Sequence, residues 1–310
     1  MAEPSGPVTA LALITEWRPD LLTWAGLLLL AAGWLRIRLS GRARGLSRPR
    51  GRDAAMAGGV LLGLWVTGGF LQARAGQLMW IWTVQQLLLL LIVPMVILAG
   101  RPLDPGGAAW PARIAGSRAV RVASSPLIGP LYVPILCGLL FFGGLGSWSL
   151  RSPVSGGLLH LLLLCVGTLI ALPLVQGHVR TSSLAVGAAL AVGVVELLVD
   201  AVPGIVLRLE THLTMSHFGV GRSPWASSWL ADQQTAGAVL WTVAEVLDLP
   251  FLVLVAVQWV RADAREAREV DALLDRQHAL AATAGDDGGP STTAPWWLAD
   301  PELRRRYRQD

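Results

Sequence analysis

Seven long apolar segments occupy most of this chain, and they restrict its fold more than any other feature. The segments cover about residues 20–37, 54–73, 78–99, 126–146, 155–175, 184–207 and 233–260. Each is close to the roughly 20 residues that an α-helix needs to cross the hydrocarbon core of a bilayer, although the first is short. The sequence therefore predicts an all-α integral membrane protein, with seven transmembrane helices packed in a bundle.

The composition agrees with a membrane protein and argues against several classes of enzyme. Hydrophobic residues make up 53% of the chain and charged residues only 15%. All 25 basic residues are arginine, so the chain lacks the lysine amine of Schiff-base chemistry and Walker-type phosphate binding. No GxxxxGK, HExxH, GxSxG or CxxC motif is present. We expect no enzymatic activity, and we interpret Cys137 and Cys165, each midway along an apolar run, as small core residues.

The arginines are distributed unevenly between the two sides of the predicted bundle. Seven of them lie between Arg36 and Arg52, and fifteen in all lie on one side, against five on the other. Because cytoplasmic connections are enriched in Lys and Arg, the N-terminus is predicted outside and the C-terminus inside a bacterial inner membrane. The formal charge of +4 then reflects topology, and no nucleic-acid partner is expected.

This topology divides the chain into three regions. Residues 1–19 are predicted to form an extracytoplasmic N-terminal segment, and residues 20–272 the seven-helix transmembrane domain. Residues 273–310 are predicted to form a cytoplasmic tail. From about Ala281 this tail is polar and rich in Gly and Pro, so we expect it to be largely disordered.

Polar residues inside the apolar segments are the most informative positions, because burying them in lipid is costly. Gln85 and Gln86 lie in the third segment, His160 in the fifth, and Glu196 with Asp200 in the sixth. They predict a polar pocket in the outer half of the bundle. The sequence leaves open that His160 and the glutamines act as interhelical hydrogen-bond partners alone.

The seventh segment carries a polar stripe on one helical face. At 100° per residue, that face receives Gln234, Gly237, Trp241, Glu245 and Asp248. The segment opens with Asp232 and Gln233, and we assign these two residues and the polar side chains of the stripe to the predicted pocket. The carboxylates of the sixth and seventh segments either serve a proton, metal or partner role or are protonated and hydrogen-bonded to one another, and both alternatives stay open.

A short predicted outer loop contains further candidate metal ligands. It reads HLTMSH and holds His212, Met215 and His217. Imidazole and thioether groups are suitable copper ligands, and Met favours Cu(I). Together with His160, these residues form the predicted metal set. Three such residues also occur in short loops without a metal, so a metal-free interpretation stays open.

Two blocks of the sequence resemble a known membrane protein family. The first block comprises Asp232-Gln233-Gln234, Ala236-Gly237, Leu240-Trp241 and Trp259-Val260-Arg261-Ala262-Asp263-Ala264-Arg265-Glu266-Ala267. The second is QQLLLLLIVPMVILAGRP, residues 85–102. Both resemble the CtaG-type cytochrome c oxidase assembly factors, and the similarity extends over roughly residues 20–272. The resemblance implies a seven-span, non-enzymatic protein that assists oxidase assembly, with oxidase subunits and membrane lipid as partners and copper as a ligand.

The chain departs from that family at three positions. Histidines that the family usually has are replaced by Trp82 and Gln86 in the third segment and by Gly156 in the fifth, where His160 remains. The departures leave open a diverged copper chaperone and a metal-free scaffold that docks oxidase subunits. A third alternative is a proton- or cation-coupled transporter that uses the intramembrane carboxylates Glu196, Asp200, Glu245 and Asp248.

Overall fold

Helices account for all the regular structure in the part of the chain that the computed structural model describes. It describes residues 6, 8–43, 45, 49–102, 117–124, 128, 131–176, 183–219 and 228–284. The α-helices over these residues are α1 Ala12–Thr15, α2 Leu21–Ala43, α3 Arg50–Val66, α4 Phe70–Arg74, α5 Met79–Ala99, α6 Arg118–Ala123, α7 Tyr132–Phe141, α8 Leu145–Ser149, α9 Pro153–Gln176, α10 Ser183–Leu209 and α11 Trp229–Ala284. One turn of α5, Leu88–Ile92, is π-helical, and Ser216–Gly219 forms a 3-10 turn. The all-α prediction is confirmed over these ranges.

Four helical stretches are long and apolar enough to cross a membrane. They are Leu21–Ala43, Arg50–Arg74 (α3 with α4), Met79–Ala99 and Pro153–Leu172. They coincide with the predicted first, second, third and fifth segments, and the chain is a membrane protein. The fourth segment contains the 10-residue α7 and extends into residues outside the described ranges. The sixth and seventh lie on α10 and α11, where some side chains, including those of Glu196 and Asp248, are also outside the described set. Seven spans and their orientation therefore stay predictions.

One end of the bundle gathers the N-terminal segment and several helix connections. The backbone N–H of Arg18 donates to the carbonyl of Gly68, just after α3, at 2.7 Å. The Nε2–H of His217, in the 3-10 turn before α11, donates to the carbonyl of Gly76, just before α5, at 3.1 Å. Both α5 and α9 begin at this end, and we name it the His160 end.

The opposite end collects a different set of arginines. A Cβ added at Gly100, after α5, would lie 2.8 Å from the carbonyl oxygen of Arg52 at the start of α3. Arg38, late in α2, forms a salt bridge with Asp53. Helix α6 packs against the last turns of α5 and α9. We name this the Arg52 end.

Small residues let the helices approach closely, as expected where lipid tails supply no net hydrophobic drive between helices. A Cβ at Gly167 of α9 would overlap the carbonyl oxygen of Leu90, in the π-helical turn of α5. Gly204 of α10 and Gly237 of α11 each face the backbone of the other helix, with added Cβ atoms 2.7–2.9 Å from the opposite carbonyl oxygens. These contacts fix α9 on α5 and α10 on α11.

Helix α11 is much longer than a membrane crossing. Its 56 residues span about 84 Å at 1.5 Å per residue, against a hydrocarbon core of about 30 Å. Its side chains are exposed along most of Arg261–Ala279. The helix passes the predicted domain boundary at residue 272 and ends at Ala284, and the rest of the predicted tail, residues 285–310, lies outside the described residues.

Candidate functional site

A buried aspartate–histidine pair joins the start of α2 to α9. Asp20 directly precedes α2, and its Oδ1 accepts hydrogen bonds from the backbone N–H groups of Leu22, at 3.1 Å, and Thr23, at 3.4 Å. This is the geometry of an N-terminal helix cap. Its Oδ2 accepts from the Thr23 hydroxyl at 2.5 Å and from Nδ1–H of His160 at 2.9 Å. The pair is 140 residues apart in sequence.

The Asp20 carboxylate is the acceptor for the His160 ring. An ionised carboxylate only accepts hydrogen bonds, so Nδ1 of His160 carries a proton. Within the described part of the chain, Nε2 of His160 has no hydrogen-bond partner. The side chain is 3% exposed, so this nitrogen lies inside the protein.

The two glutamines of α5 belong to a second set of hydrogen-bonded side chains at the same end. Nε2 of Gln85 donates to the carbonyl of Val66 at 2.9 Å and to Oε1 of Gln72 at 2.5 Å. Nε2 of Gln86 donates to Oε1 of Gln85 at 3.3 Å, while Oε1 of Gln86 is buried without a partner. Buried polar atoms are nearly always hydrogen-bonded, so this orphaned oxygen is a notable exception.

These two sets of hydrogen-bonded side chains lie within a four-helix group. Helices α2, α3, α5 and α9 contact one another in a ring, α2 with α3, α3 with α5, α5 with α9 and α9 with α2. We define the polar layer as the six side chains that this group and the adjoining α4 bring to the His160 end: Asp20, Thr23, Gln72, Gln85, Gln86 and His160. Five of the six are no more than 8% exposed. Among the described residues, Oε1 of Gln86 and Nε2 of His160 are atoms of this layer that no donor contacts.

The crossing of α5 and α9 sets the levels of Gln86 and His160 along the bundle. Helices α5 and α9 run in the same direction, and Gly167 meets Leu90 at their crossing. Gln86 lies one turn before Leu90, and His160 lies two turns before Gly167, both toward the His160 end. Side chains on both helices lean toward their N-termini, so His160 stays about one turn nearer the His160 end than Gln86.

The predicted loop ligands lie in different environments at the same end. His212 is exposed, with Nδ1 3.1 Å from Oε1 of Glu210, and hydrogen bonds from the His212 backbone and ring lower the pKa of Glu210. Met215 is 1% exposed, beside Gly146 and the ring of Trp82. No group of three or more His, Cys, Asp or Glu side chains comes together among the described residues as a metal-holding cluster.

Asp232 and Gln233 hold α11 to its neighbours. The Asp232 carboxylate accepts from the backbone N–H groups of Met79, at 3.0 Å, and Trp80, at 3.2 Å, so it caps the start of α5. Oε1 of Gln233 accepts from the backbone N–H of Thr214 at 2.9 Å, and its Nε2 donates to the carbonyl of His212, also at 2.9 Å. Both side chains are at most 1% exposed. They are structural links at the His160 end.

The remaining predicted pocket residues are dispersed. On the stripe of α11, Nε1–H of Trp241 donates to Oε1 of Glu245 at 2.6 Å, one turn on, while Gln234 is exposed. Asp200 of α10 is 4% exposed. The side chains of Glu196 and Asp248 lie outside the described set. Of the predicted pocket residues, Gln85 is hydrogen-bonded to Gln86 and Trp241 to Glu245, while His160 pairs with Asp20.

Sequence reasoning missed three members of the polar layer: Asp20, Thr23 and Gln72. For Asp20 a signal exists, because an aspartate after Pro19 and directly before an apolar run is a typical helix-cap position. That signal identifies the cap but not the contact with His160. Of the two cysteines interpreted as core residues, Cys137 is buried and Cys165 is exposed, so the interpretation is wrong for Cys165.

Comparison with known proteins identifies the family. Uncharacterized protein Mb0105 of Mycobacterium bovis and Uncharacterized protein MT0111 of Mycobacterium tuberculosis are each 23% identical to the chain over 288 residues. The alignment covers 88% of this chain but 44% of each relative, so the chain spans less than half the length of these proteins. No solved structure matches. The family model of the cytochrome c oxidase caa3 assembly factor matches residues 28–262, and the chain therefore belongs to this Caa3_CtaG family.

Proposed function

We propose that this chain is a non-enzymatic assembly factor of cytochrome c oxidase that carries Cu(I) as cargo on His160. The family membership supports the role in oxidase assembly. The observation that carries the copper proposal is the buried imidazole of His160, oriented by Asp20 through Nδ1 and unpartnered at Nε2. A metal-binding histidine typically donates its other ring N–H to a carboxylate in this way.

The polar layer is better suited to hold a transient Cu(I) ion than a permanently bound metal. Its two unpartnered atoms are the imidazole nitrogen of His160 and the amide oxygen of Gln86, and no cluster of three ionisable ligands lies among the described side chains. A site with few protein ligands leaves coordination positions open, through which an acceptor protein can take the ion by ligand exchange. The exposed imidazoles of His212 and His217, at the same end, are the proposed first contacts for Cu(I). The buried thioether of Met215 is a proposed later ligand, since soft thioether ligands favour that ion.

We also propose seven crossings of a bacterial inner membrane, with the His160 end outside and the Arg52 end in the cytoplasm. The contacts described above support this orientation, because they put Arg38, Arg52 and Arg101 at one end and Arg18 and Arg74 at the other. The arginine-rich end is the cytoplasmic one by the positive-inside rule. The polar layer then lies in the outer half of the bundle, where an oxidase subunit docks to receive the ion.

Metal content after anaerobic Cu(I) loading tests the proposal. The detergent-purified protein should retain near-stoichiometric copper, and His160→Ala should retain far less. His212→Ala/His217→Ala should slow loading more than it lowers the final content. His278→Ala is the matched control, because this exposed histidine lies on the extension of α11 far from the polar layer. Copper no higher than in an unrelated membrane protein would refute the cargo role and favour a metal-free scaffold, which co-purification with oxidase subunits would then test.

A transporter is the second candidate, and the burial of Asp200 favours it. Asp200 is 4% exposed on α10, and Glu245 on the adjacent α11 accepts a hydrogen bond from Trp241. Carboxylates inside membrane spans commonly mark ion pathways. This candidate predicts proton or cation uptake into proteoliposomes that Glu245→Gln abolishes, whereas the assembly factor predicts no uptake.

A further inference from the structure

Asp20 has two structural roles, and each uses a different oxygen. Its Oδ1 faces the backbone N–H groups of Leu22 and Thr23, which caps α2. Its Oδ2 faces the side chains of Thr23 and His160. Space around it is limited, because a Cβ added at Gly157 of α9 would lie 2.9 Å from Oδ1. The carboxylate is therefore fixed in place independently of the histidine.

A fixed acceptor at Nδ1 selects one tautomer of the His160 ring. A neutral imidazole has one N–H and one lone pair, and the hydrogen bond at one nitrogen decides which nitrogen keeps the lone pair. With Oδ2 of Asp20 2.9 Å from Nδ1, the proton stays on Nδ1 and the lone pair on Nε2.

We propose that Asp20 is the positioning residue of the His160 site, holding the Nδ1–H tautomer so that Nε2 offers its lone pair to a small cation. A lone pair without a donor selects a cation over an anion, since an anion would bring further acceptors. The choice of Cu(I) as that cation rests on the function proposed above. The tautomer itself does not depend on it.

Asp20→Asn separates the two roles of this residue. Asparagine is as good a helix cap as aspartate, because its side-chain oxygen still accepts from the backbone N–H groups. Its Nδ2–H₂ group, facing His160, donates a hydrogen bond where the carboxylate accepted one. The ring then accepts at Nδ1 and carries its proton on Nε2, which blocks cation binding while the cap persists.

Long-range ¹H–¹⁵N NMR of the full chain, labelled with [¹⁵N]histidine in detergent micelles, tests the tautomer directly. The chain has five histidines, and the His160 signals are those missing from His160→Gln. The wild type should show a protonated Nδ1 and an unprotonated Nε2, and Asp20→Asn should show the reverse. Asp232→Asn is the matched control, because Asp232 is the buried cap of α5 at the same end and accepts from the backbone of Met79 and Trp80. A wild-type ring protonated on Nε2, or one whose tautomer Asp20→Asn leaves unchanged, would overturn the proposal.

Binding of Ag(I), a stable stand-in for Cu(I), then separates the two proposals. Loss of a carboxylate that orients a metal-binding histidine typically weakens affinity by about 10- to 100-fold. We expect this loss of Ag(I) affinity in Asp20→Asn, and at most a minor loss in Asp232→Asn. Wild-type affinity retained in Asp20→Asn overturns the positioning role. Equal affinity in wild type and His160→Ala refutes the cargo function instead, while the NMR result stands by itself.

Discussion

Asp232→Ala removes both side-chain acceptors from the N-terminus of α5. In the native chain, the two carboxylate oxygens accept from the backbone N–H groups of Met79 and Trp80, at 3.0 and 3.2 Å. Met79 is fully buried and Trp80 is half-buried, so water cannot freely replace the carboxylate. The negative charge of Asp232 also lies at the positive end of the α5 helix dipole, which stabilises the helix.

The expected cost follows from these two contacts. A buried donor left without an acceptor costs about 1–3 kcal/mol, and loss of an N-cap side chain costs about 0.5–2 kcal/mol. Because only one of the two N–H groups is fully buried, we expect Asp232→Ala to lower the free energy of unfolding by about 2–4 kcal/mol. Asp232→Asn, which keeps one acceptor, should lose about half as much.

Reversible unfolding with SDS in mixed micelles, followed by tryptophan fluorescence, measures this loss. Gln234→Ala is the matched control, because Gln234 lies two residues on in the same helix and is exposed. We expect it to change the free energy of unfolding by less than about 0.5 kcal/mol. If Asp232→Ala also changed it by less than that amount, the capping role of Asp232 would be refuted, and a ligand role would become the better explanation for this residue.

Three further substitutions test the packing and the polar layer by the same unfolding assay. Gly167→Val should destabilise the protein by about 1–3 kcal/mol or more, because its Cβ would overlap the carbonyl oxygen of Leu90 and push α9 off α5. Glu16→Ala should cost about 3 kcal/mol, because it removes the carboxylate that pairs at 2.5–2.7 Å with the guanidinium of Arg74, a side chain only 2% exposed. Gln86→Leu should change the free energy of unfolding by no more than about 1 kcal/mol, because removal of a buried oxygen without a partner offsets the loss of the 3.3 Å hydrogen bond to Oε1 of Gln85.

Each of these substitutions has its own control. Gly138→Ala matches Gly167→Val, since a Cβ at Gly138 meets nothing within 4 Å and should be tolerated. The double variant Glu16→Ala/Arg74→Met should recover part of the loss, and strictly additive effects would contradict the ion-pair argument. A loss well above about 1 kcal/mol in Gln86→Leu would exceed the value of the single hydrogen bond to Gln85 and would mean that the amide oxygen of Gln86 is satisfied as well.

Local sequence pattern was sufficient for the elements and for contacts within one helix. Apolar length predicted the helices that can cross a membrane, because a bilayer demands about 20 apolar residues in a helix that satisfies its own backbone. The 3.6-residue period put Trp241 and Glu245 on one face, and their side chains are hydrogen-bonded at 2.6 Å. The topology that the arginine pattern predicts stays a prediction.

Contacts between helices were not readable in the same way. The sequence identified His160, Gln85 and Asp232 as polar residues in costly positions, but their partners are Asp20, Val66 and Met79, up to 153 residues away. No local period encodes which helices are neighbours, because that choice depends on how whole helix surfaces fit together. Close approaches such as Gly167 on Leu90 set that arrangement.

The sequence by itself therefore determined that the chain is helical, that it belongs in a membrane and where its polar side chains lie along each helix. Only the tertiary structure decided which of those side chains meet. It made Asp232 and Gln233 structural links, and it joined Asp20 to His160. The physical reason is that a buried polar group must find a partner, and only the arrangement of the helices in space determines which partner is within reach.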